Sequence, residues 1–193
     1  MPYNPEKHHR RSIRLKGYDY SQHGAYFVTL CTSEKELFFQ NSDIKQIAEG
    51  RWMWLREQYG YVEIDEWVVM PNHLHAIVII GRGSSRTAPT KPLGQLIGAF
   101  KTTSAKLIHQ VGYPHFAWQR NYYEHIIRNE KELTRIREYI RMNPLKWQFD
   151  RENPESVFAL DYRKQWEWLE GKEDKNRKER YPAIIREKSQ REV

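Results

Sequence analysis

Between Trp67 and Ile80 the chain reads Trp-Val-Val-Met-Pro-Asn-His-Leu-His-Ala-Ile-Val-Ile-Ile, two runs of β-branched and large apolar residues broken only at Pro71-Asn72. Proline cannot donate to a strand ladder and asparagine favours turns, so the joint predicts an antiparallel hairpin with arms over 61–70 and 73–80. Side chains alternate across a strand. Leu74, Ala76, Val78 and Ile80 therefore share one face as a packing surface, while His73 and His75 point from the other and converge on one point.

The flanking sequence supplies partners for the hairpin. From Gly24, Ala-Tyr-Phe-Val-Thr-Leu-Cys-Thr32 is dense in aromatic and β-branched residues and predicts a strand. Ser42-Asp43 marks a helix start, and Ile44, Ile47, Ala48, Trp52 and Leu55 form an apolar stripe over 44–59. A basic, flexible loop over 81–92 precedes a second amphipathic helix over 93–111, striped by Leu96, Ile97, Phe100, Ser104, Leu107 and Ile108. Phe116-Ala-Trp-Gln-Arg120 predicts a short fourth strand. A third helix over 131–143 turns Leu133, Ile136 and Ile140 inward, and Pro144 ends it. The order strand, helix, strand, strand, helix, strand fits an α+β fold with a ferredoxin-like antiparallel sheet, helices on one face, and a further C-terminal helix.

A chain of 193 residues suits one domain with extensions. The boundaries expected are a basic arm over 1–22, a catalytic domain over 23–155 and a charged extension over 156–193, where both signs mix without apolar period. Lys and Arg outnumber Asp and Glu by 32 to 25, which with a pI near 9.4 points to a polyanionic partner. Cys31 is the single cysteine, so no disulfide forms within the chain and a reducing compartment suits it. No apolar stretch is long enough to span a membrane, and the N-terminus lacks a signal-peptide core. A soluble, cytoplasmic protein is expected.

A second constellation raises the interest of the histidine pair. Tyr139 and Asn143 lie four residues apart on the third helix, which sets a phenol beside an amide. A metal that polarises a phosphate needs fixed protein ligands and an open position, and His73, His75 and Asn143 could supply the fixed part. These neutral ligands leave the cation its full charge against a phosphoryl transition state. Tyr139 would then lie beside the metal, where attack on phosphorus gives a covalent phosphotyrosine and stores the bond energy for religation. A phenol pKa near 10 calls for activation, and Arg135, Lys101 and His125 are candidates. Each element also has a structural reading: partly exposed strand histidines, a helix tyrosine with its ring in the core, and a helix C-cap at Asn143.

Met70-Pro-Asn-His-Leu-His75, Trp118-Gln-Arg-Asn-Tyr-Tyr-Glu-His-Ile-Ile-Arg128 and Tyr139-Ile-Arg-Met-Asn-Pro144 together resemble the signatures of the REP-associated tyrosine transposases. These are relatives of the single-tyrosine insertion-sequence transposases in the HUH nuclease superfamily. Gly24-Ala-Tyr-Phe-Val-Thr29 and Ala99-Phe-Lys101 extend the resemblance, which runs from about Arg10 to Glu155. The resemblance implies that His73 and His75 bind metal, Leu74 is the hydrophobic residue between them, Tyr139 is the nucleophile and Asn143 the third ligand. Insertion-sequence relatives often carry glutamine at that last place.

The implied substrate is single-stranded DNA bearing imperfect palindromic hairpins, cut near the hairpin foot to leave a 5′-phosphotyrosine. The implied cofactor is Mg2+ or Mn2+, although two imidazoles alone would suit zinc better. Arg14, Arg82, Arg86, Lys91, Lys101, Lys106, Arg120 and Arg128 are candidate phosphate contacts, with exposed Tyr or Trp rings for unpaired bases. Tyr122 and Tyr123 are rival nucleophiles by position, but neither has an amide or carboxylate four residues on. A homodimer exchanging the tyrosine helix is one family arrangement and a monomer another. The competing functional readings are a hairpin-binding regulatory or architectural protein with little cleavage, and a metal-dependent hydrolase using activated water. A nucleoid-associated location follows from the DNA reading.

Overall fold

The computed structural model describes residues 15, 17–81, 91–150 and 152–156. Strand β1 (Gly24–Cys31) is followed by helix α1 (Ser42–Gln58), strands β2 (Val62–Met70) and β3 (His73–Ile80), helix α2 (Leu93–Gln110), strand β4 (Tyr123–Ile127) and helix α3 (Glu130–Met142). All pairings are antiparallel and the sheet order is β2-β3-β1-β4. This is the expected ferredoxin-like α+β arrangement. The two-residue joint at Pro71-Asn72 closes the β2–β3 hairpin with Met70 opposite His73. Its outward carbonyls are tied down by the N–H groups of Thr32 and Phe39, each at 2.9 Å.

The sheet buries both faces, against different helices. On one, Leu74, Ala76, Val78 and Ile80 of β3 pack with Tyr26, Val28 and Leu30 of β1 against α1 and α2, which contribute Ile44, Ala48, Trp52, Leu55, Leu96, Ile97, Phe100 and Ile108. On the other, a smaller cluster of Phe27, Ile77, Ile127, Ile136 and Ile140 seats α3. Helix α3 is thus not one of the layer formed by α1 and α2, and it lies on the face from which His73 and His75 project. Asn41 caps α1 by accepting from the N–H groups of Asp43 and Ile44, one residue ahead of the start read from Ser42-Asp43.

Two local features depart from the sequence expectation. The fourth strand is Tyr123–Ile127, not 116–120. Phe116 is instead buried among Phe38, Phe39 and Trp118, and Trp118 forms only an isolated bridge with Thr32. The core claims those rings, and the ladder passes to a stretch whose apolar signal Glu124 and His125 interrupt. In β2 a bulge between Ile64 and Trp67 inserts one residue. Ile64 pairs with Val78 and Trp67 with Ala76, so Val62, Ile64, Trp67 and Val69 all serve the larger core despite their change of parity.

The bulge also frees Asp65 and Glu66 to hold α3. Arg137 Nε and Nη2 donate to the Asp65 carboxylate at 3.1 and 2.7 Å, and Arg141 Nε donates to Glu66 Oε2 at 2.6 Å. The far end of α3 is fixed by Glu132, which accepts from His125 Nε2 at 2.7 Å and from the Arg128 N–H at 2.7 Å, while Asn129 caps the Glu132 N–H. Tyr139 falls between Arg137 and Arg141, the two α3 residues of the first clamp. No helix among the described residues is long and apolar enough to cross a membrane.

Candidate active site

His73 and His75 enter the site already oriented. The His73 Nδ1 atom lies 2.8 Å from Asn72 Oδ1, which can only accept, so Nδ1 carries the proton and the Nε2 lone pair faces inward. His75 Nδ1 lies 2.8 Å from Thr29 Oγ1 on the neighbouring strand, and Phe27 stacks on its ring at 5.5 Å. The two Nε2 atoms are then only 3.0 Å apart. Two nitrogens bound at about 2.1 Å and at right angles to one octahedral ion would be separated by roughly that distance. Burial pushes His75 down to about 3. His73 falls well below its ordinary value through burial first, then the neighbouring His75 and Lys35. Both rings are neutral at physiological pH, the state in which imidazole ligates metal.

Tyr139 meets this pair directly. Its hydroxyl lies 3.2 Å from His75 Nε2 of its own chain, and its ring packs edge-on to Phe27 and to His75. Helix α3 therefore docks against the strand that bears both histidines, with the phenol at the mouth of the nitrogen pair. One turn on, Asn143 is 3% exposed, and its Oδ1 is buried with no hydrogen-bond partner among the described residues. An orphaned buried carbonyl costs about 1–3 kcal/mol, which a cation in contact with it would offset.

Sequence reasoning missed two further groups. Ligand atoms of His73, His75 and Asp150 all lie within 4.8 Å of one another. Asp150 follows the 3-10 turn Pro144–Phe149. Burial pushes its carboxyl up to about 6, the Glu152 N–H opposes this, and the Glu152 charge raises it further. The second group is Asn72, fully buried, which besides orienting His73 donates from Nδ2 to the carbonyls of Lys35 and Glu152. The Pro-Asn turn was a visible signal for Asn72. Asp150 had none, since its spacing from the histidines follows no motif. The donor set of two imidazoles and a carboxylate fits a divalent cation.

The other residues singled out lie elsewhere. Lys101 Nζ donates to the carbonyls of Gln119 and Asn121 and lies over the Tyr122 ring, on the α2 side of the sheet. His125 is paired with Glu132. Lys91, Lys106, Arg120 and Arg128 are exposed, whereas Arg14, Arg82 and Arg86 lie outside the described residues, as do most of the arm over 1–22 and the extension over 156–193. Tyr122 is buried in the larger core and Tyr123 packs against the smaller one.

A four-stranded ferredoxin-like sheet with a histidine pair on its central strand and a tyrosine helix laid across it defines a class, and comparison with known proteins assigns it. The family model described as "Transposase IS200 like" matches residues 20–143, and this chain belongs to that family. It is similar to an uncharacterized protein of Haemophilus influenzae, 36% identical over 176 residues that cover 77% of this chain and 95% of that protein. It is also similar to the REP-associated tyrosine transposase of Escherichia coli strain K12, 30% identical over 84 residues, 44% of this chain and 45% of that one. A solved structure of a REP-associated tyrosine transposase bound to a REP hairpin shares the fold, with a TM-score of 0.53 at 23% identity over 71% of this chain and 74% of that one. The resemblance drawn from the three motifs is borne out.

Proposed function

We propose that this transposase-family protein is a metal-dependent single-strand DNA nuclease and strand transferase that works through Tyr139. The observation that carries the reading is the Tyr139 hydroxyl 3.2 Å from His75 Nε2, itself 3.0 Å from His73 Nε2. His73, His75 and Asn143 would hold Mg2+ or Mn2+, which when bound supplies positive charge against the phosphoryl transition state. The chain's own part is positioning. Asn72 and Thr29 fix the imidazoles, and α3 holds the phenol on the same side.

In the reaction proposed, the Tyr139 oxygen attacks phosphorus and the bond from phosphorus to the 3′ oxygen breaks. The products are a 5′-phosphotyrosine and a free 3′-hydroxyl, and the phenol proton lost to solvent is balanced by the one gained at that hydroxyl. Attack by a 3′-hydroxyl reverses the step and releases the tyrosine. The substrate class is single-stranded DNA with imperfect palindromic hairpins, suggested by the hairpin carried by the REP-associated structure and by the net charge of +7. Exposed Lys106, Arg120 and Arg128 are available for phosphates. A cytoplasmic, nucleoid-associated location accords with that substrate, and a single chain brings Tyr139 to its own histidines without exchange of α3.

The test is a covalent adduct. Full-length protein is incubated with labelled hairpin-bearing single-stranded DNA and Mn2+, then denatured. Wild type is expected to retain label in a protease-sensitive complex and Tyr139→Phe to lose it while still binding the hairpin. An adduct of undiminished yield in Tyr139→Phe overturns the nucleophile. Cleavage without adduct would favour activated water, and binding without either would favour a regulatory role.

A further inference from the structure

The residue pattern nominates only neutral ligands, yet a carboxylate reaches the histidine pair. We infer that Asp150 is a direct ligand of the cation held by His73 and His75, and that it gives the site its preference for a hard ion. The inference rests on the metal reading above. Ligand atoms of the three residues lie within 4.8 Å of one another, close enough to share one ion.

Three observations separate this from a chance acid near a site. The first is rigidity: Asp150 Oδ1 accepts from the Glu152 N–H at 2.7 Å, its own N–H donates to the Trp147 carbonyl at 3.0 Å, and its carbonyl accepts from the Asn153 N–H at 3.1 Å. Its position is therefore fixed by the chain on both sides. The second is the lack of an ion pair: among the described residues Asp150 forms none, and Lys35, whose charge does act on it, places its Nζ 3.2 Å from Glu152 Oε2 instead. A half-buried carboxylate is kept ionised by a positive charge in contact with it, which a bound cation supplies. The third is a shared key. Asn72 places its Oδ1 against His73 Nδ1 and donates from Nδ2 to the Glu152 carbonyl, so one buried side chain sets both the histidine and the turn that presents Asp150.

The chemistry follows from the donor types. Imidazole suits zinc and other late metals, whereas carboxylate and amide oxygen suit Mg2+ and Mn2+. Adding Asp150 to His73, His75 and the orphaned Asn143 Oδ1 balances two nitrogens with two hard oxygens. The single negative charge also helps retain a weakly held ion between DNA encounters.

The test measures Mn2+ binding to the full-length protein without DNA, from loss of the free-ion EPR signal, in wild type and Asp150→Asn, with Zn2+ competition alongside. Asp150→Asn is expected to weaken Mn2+ binding on the order of 10- to 100-fold and Zn2+ binding by less. Equal Mn2+ affinity in the two proteins overturns the Asp150 assignment and leaves the histidine pair as the metal site. Absence of Mn2+ binding in wild type overturns the metal reading and this inference with it. If circular dichroism finds Asp150→Asn unfolded, wild type labelled with carboxyl-13C aspartate decides the matter. A directly bound 13C coupling in the Mn2+ ENDOR spectrum is then the expected result, and its absence overturns the assignment.

Discussion

Ile136→Ala tests whether the smaller core cluster is what holds the nucleophile in place. Ile136 is wholly buried against Phe27, Ile77, Ile127 and Ile140, three residues before Tyr139. The substitution removes three carbons, about 2.4 kcal/mol at ~0.8 per methylene, and the unrelaxed cavity raises the total toward about 5 kcal/mol. Since α1 and α2 pack on the opposite face through a separate cluster, the loss should fall mainly on the docking of α3. Converted at ~1.36 kcal/mol per tenfold, the smaller figure is roughly a 60-fold loss of amide protection. Hydrogen exchange read by mass spectrometry on peptides from Glu130–Met142 and Leu93–Gln110 measures both helices in one experiment. The expected result is at least that loss in α3, far less in α2, and a matching fall in covalent adduct. Equal losses in both helices would mean that the two clusters open as one. Undiminished adduct in a variant that has lost more than about 2 kcal/mol would refute the claim that this cluster positions Tyr139.

Asn72→Ala strips an acceptor from His73 and a donor from two carbonyls in a fully buried place, so it should cost about 1–3 kcal/mol and weaken Mn2+ on the order of 10- to 100-fold. Urea denaturation and metal titration check the two effects, and a change in neither would show that His73 needs no orientation. Acid should unfold the metal-free protein through His75. Its folded pKa near 3 lies below the ordinary 6.5, so the stabilisation is complete above about 6.5 and drains as pH falls toward 3. At about pH 4.5 in EDTA the loss from this ring is on the order of 3 kcal/mol. His75→Gln should flatten that slope, and equal acid sensitivity in the two proteins would contradict a buried neutral ring.

Sequence legibility followed the length of the periodic signal. The hairpin was plain because two long apolar runs meet at a Pro-Asn joint, which sets Met70 opposite His73. Helix α3 was plain from Ile136 and Ile140, and with it the pairing of Tyr139 and Asn143 on one side. What stayed hidden depends on contacts between distant segments. The bulge at Asp65 and Glu66 breaks the parity of β2 for the sake of α3, and no local preference announces it. The fourth strand lies later than its apolar signal suggests because His125 within it holds Glu132 of α3, while the aromatic run before it fills the core. Asp150 reaches the histidines only because a 3-10 turn carries the chain back past Trp147, whose ring lies 6.0 Å from that of His73.

The central claim is that one tyrosine, set against the histidine pair by α3, becomes covalently joined to DNA. Its most direct measurement is peptide mapping of the adduct formed with hairpin-bearing single-stranded DNA and Mn2+, after nuclease trimming and proteolysis. The account predicts a residual nucleotide, linked through its 5′ phosphate, on the peptide containing Tyr139. A nucleotide on the peptide containing Tyr122 and Tyr123, or a 3′ linkage, would contradict it.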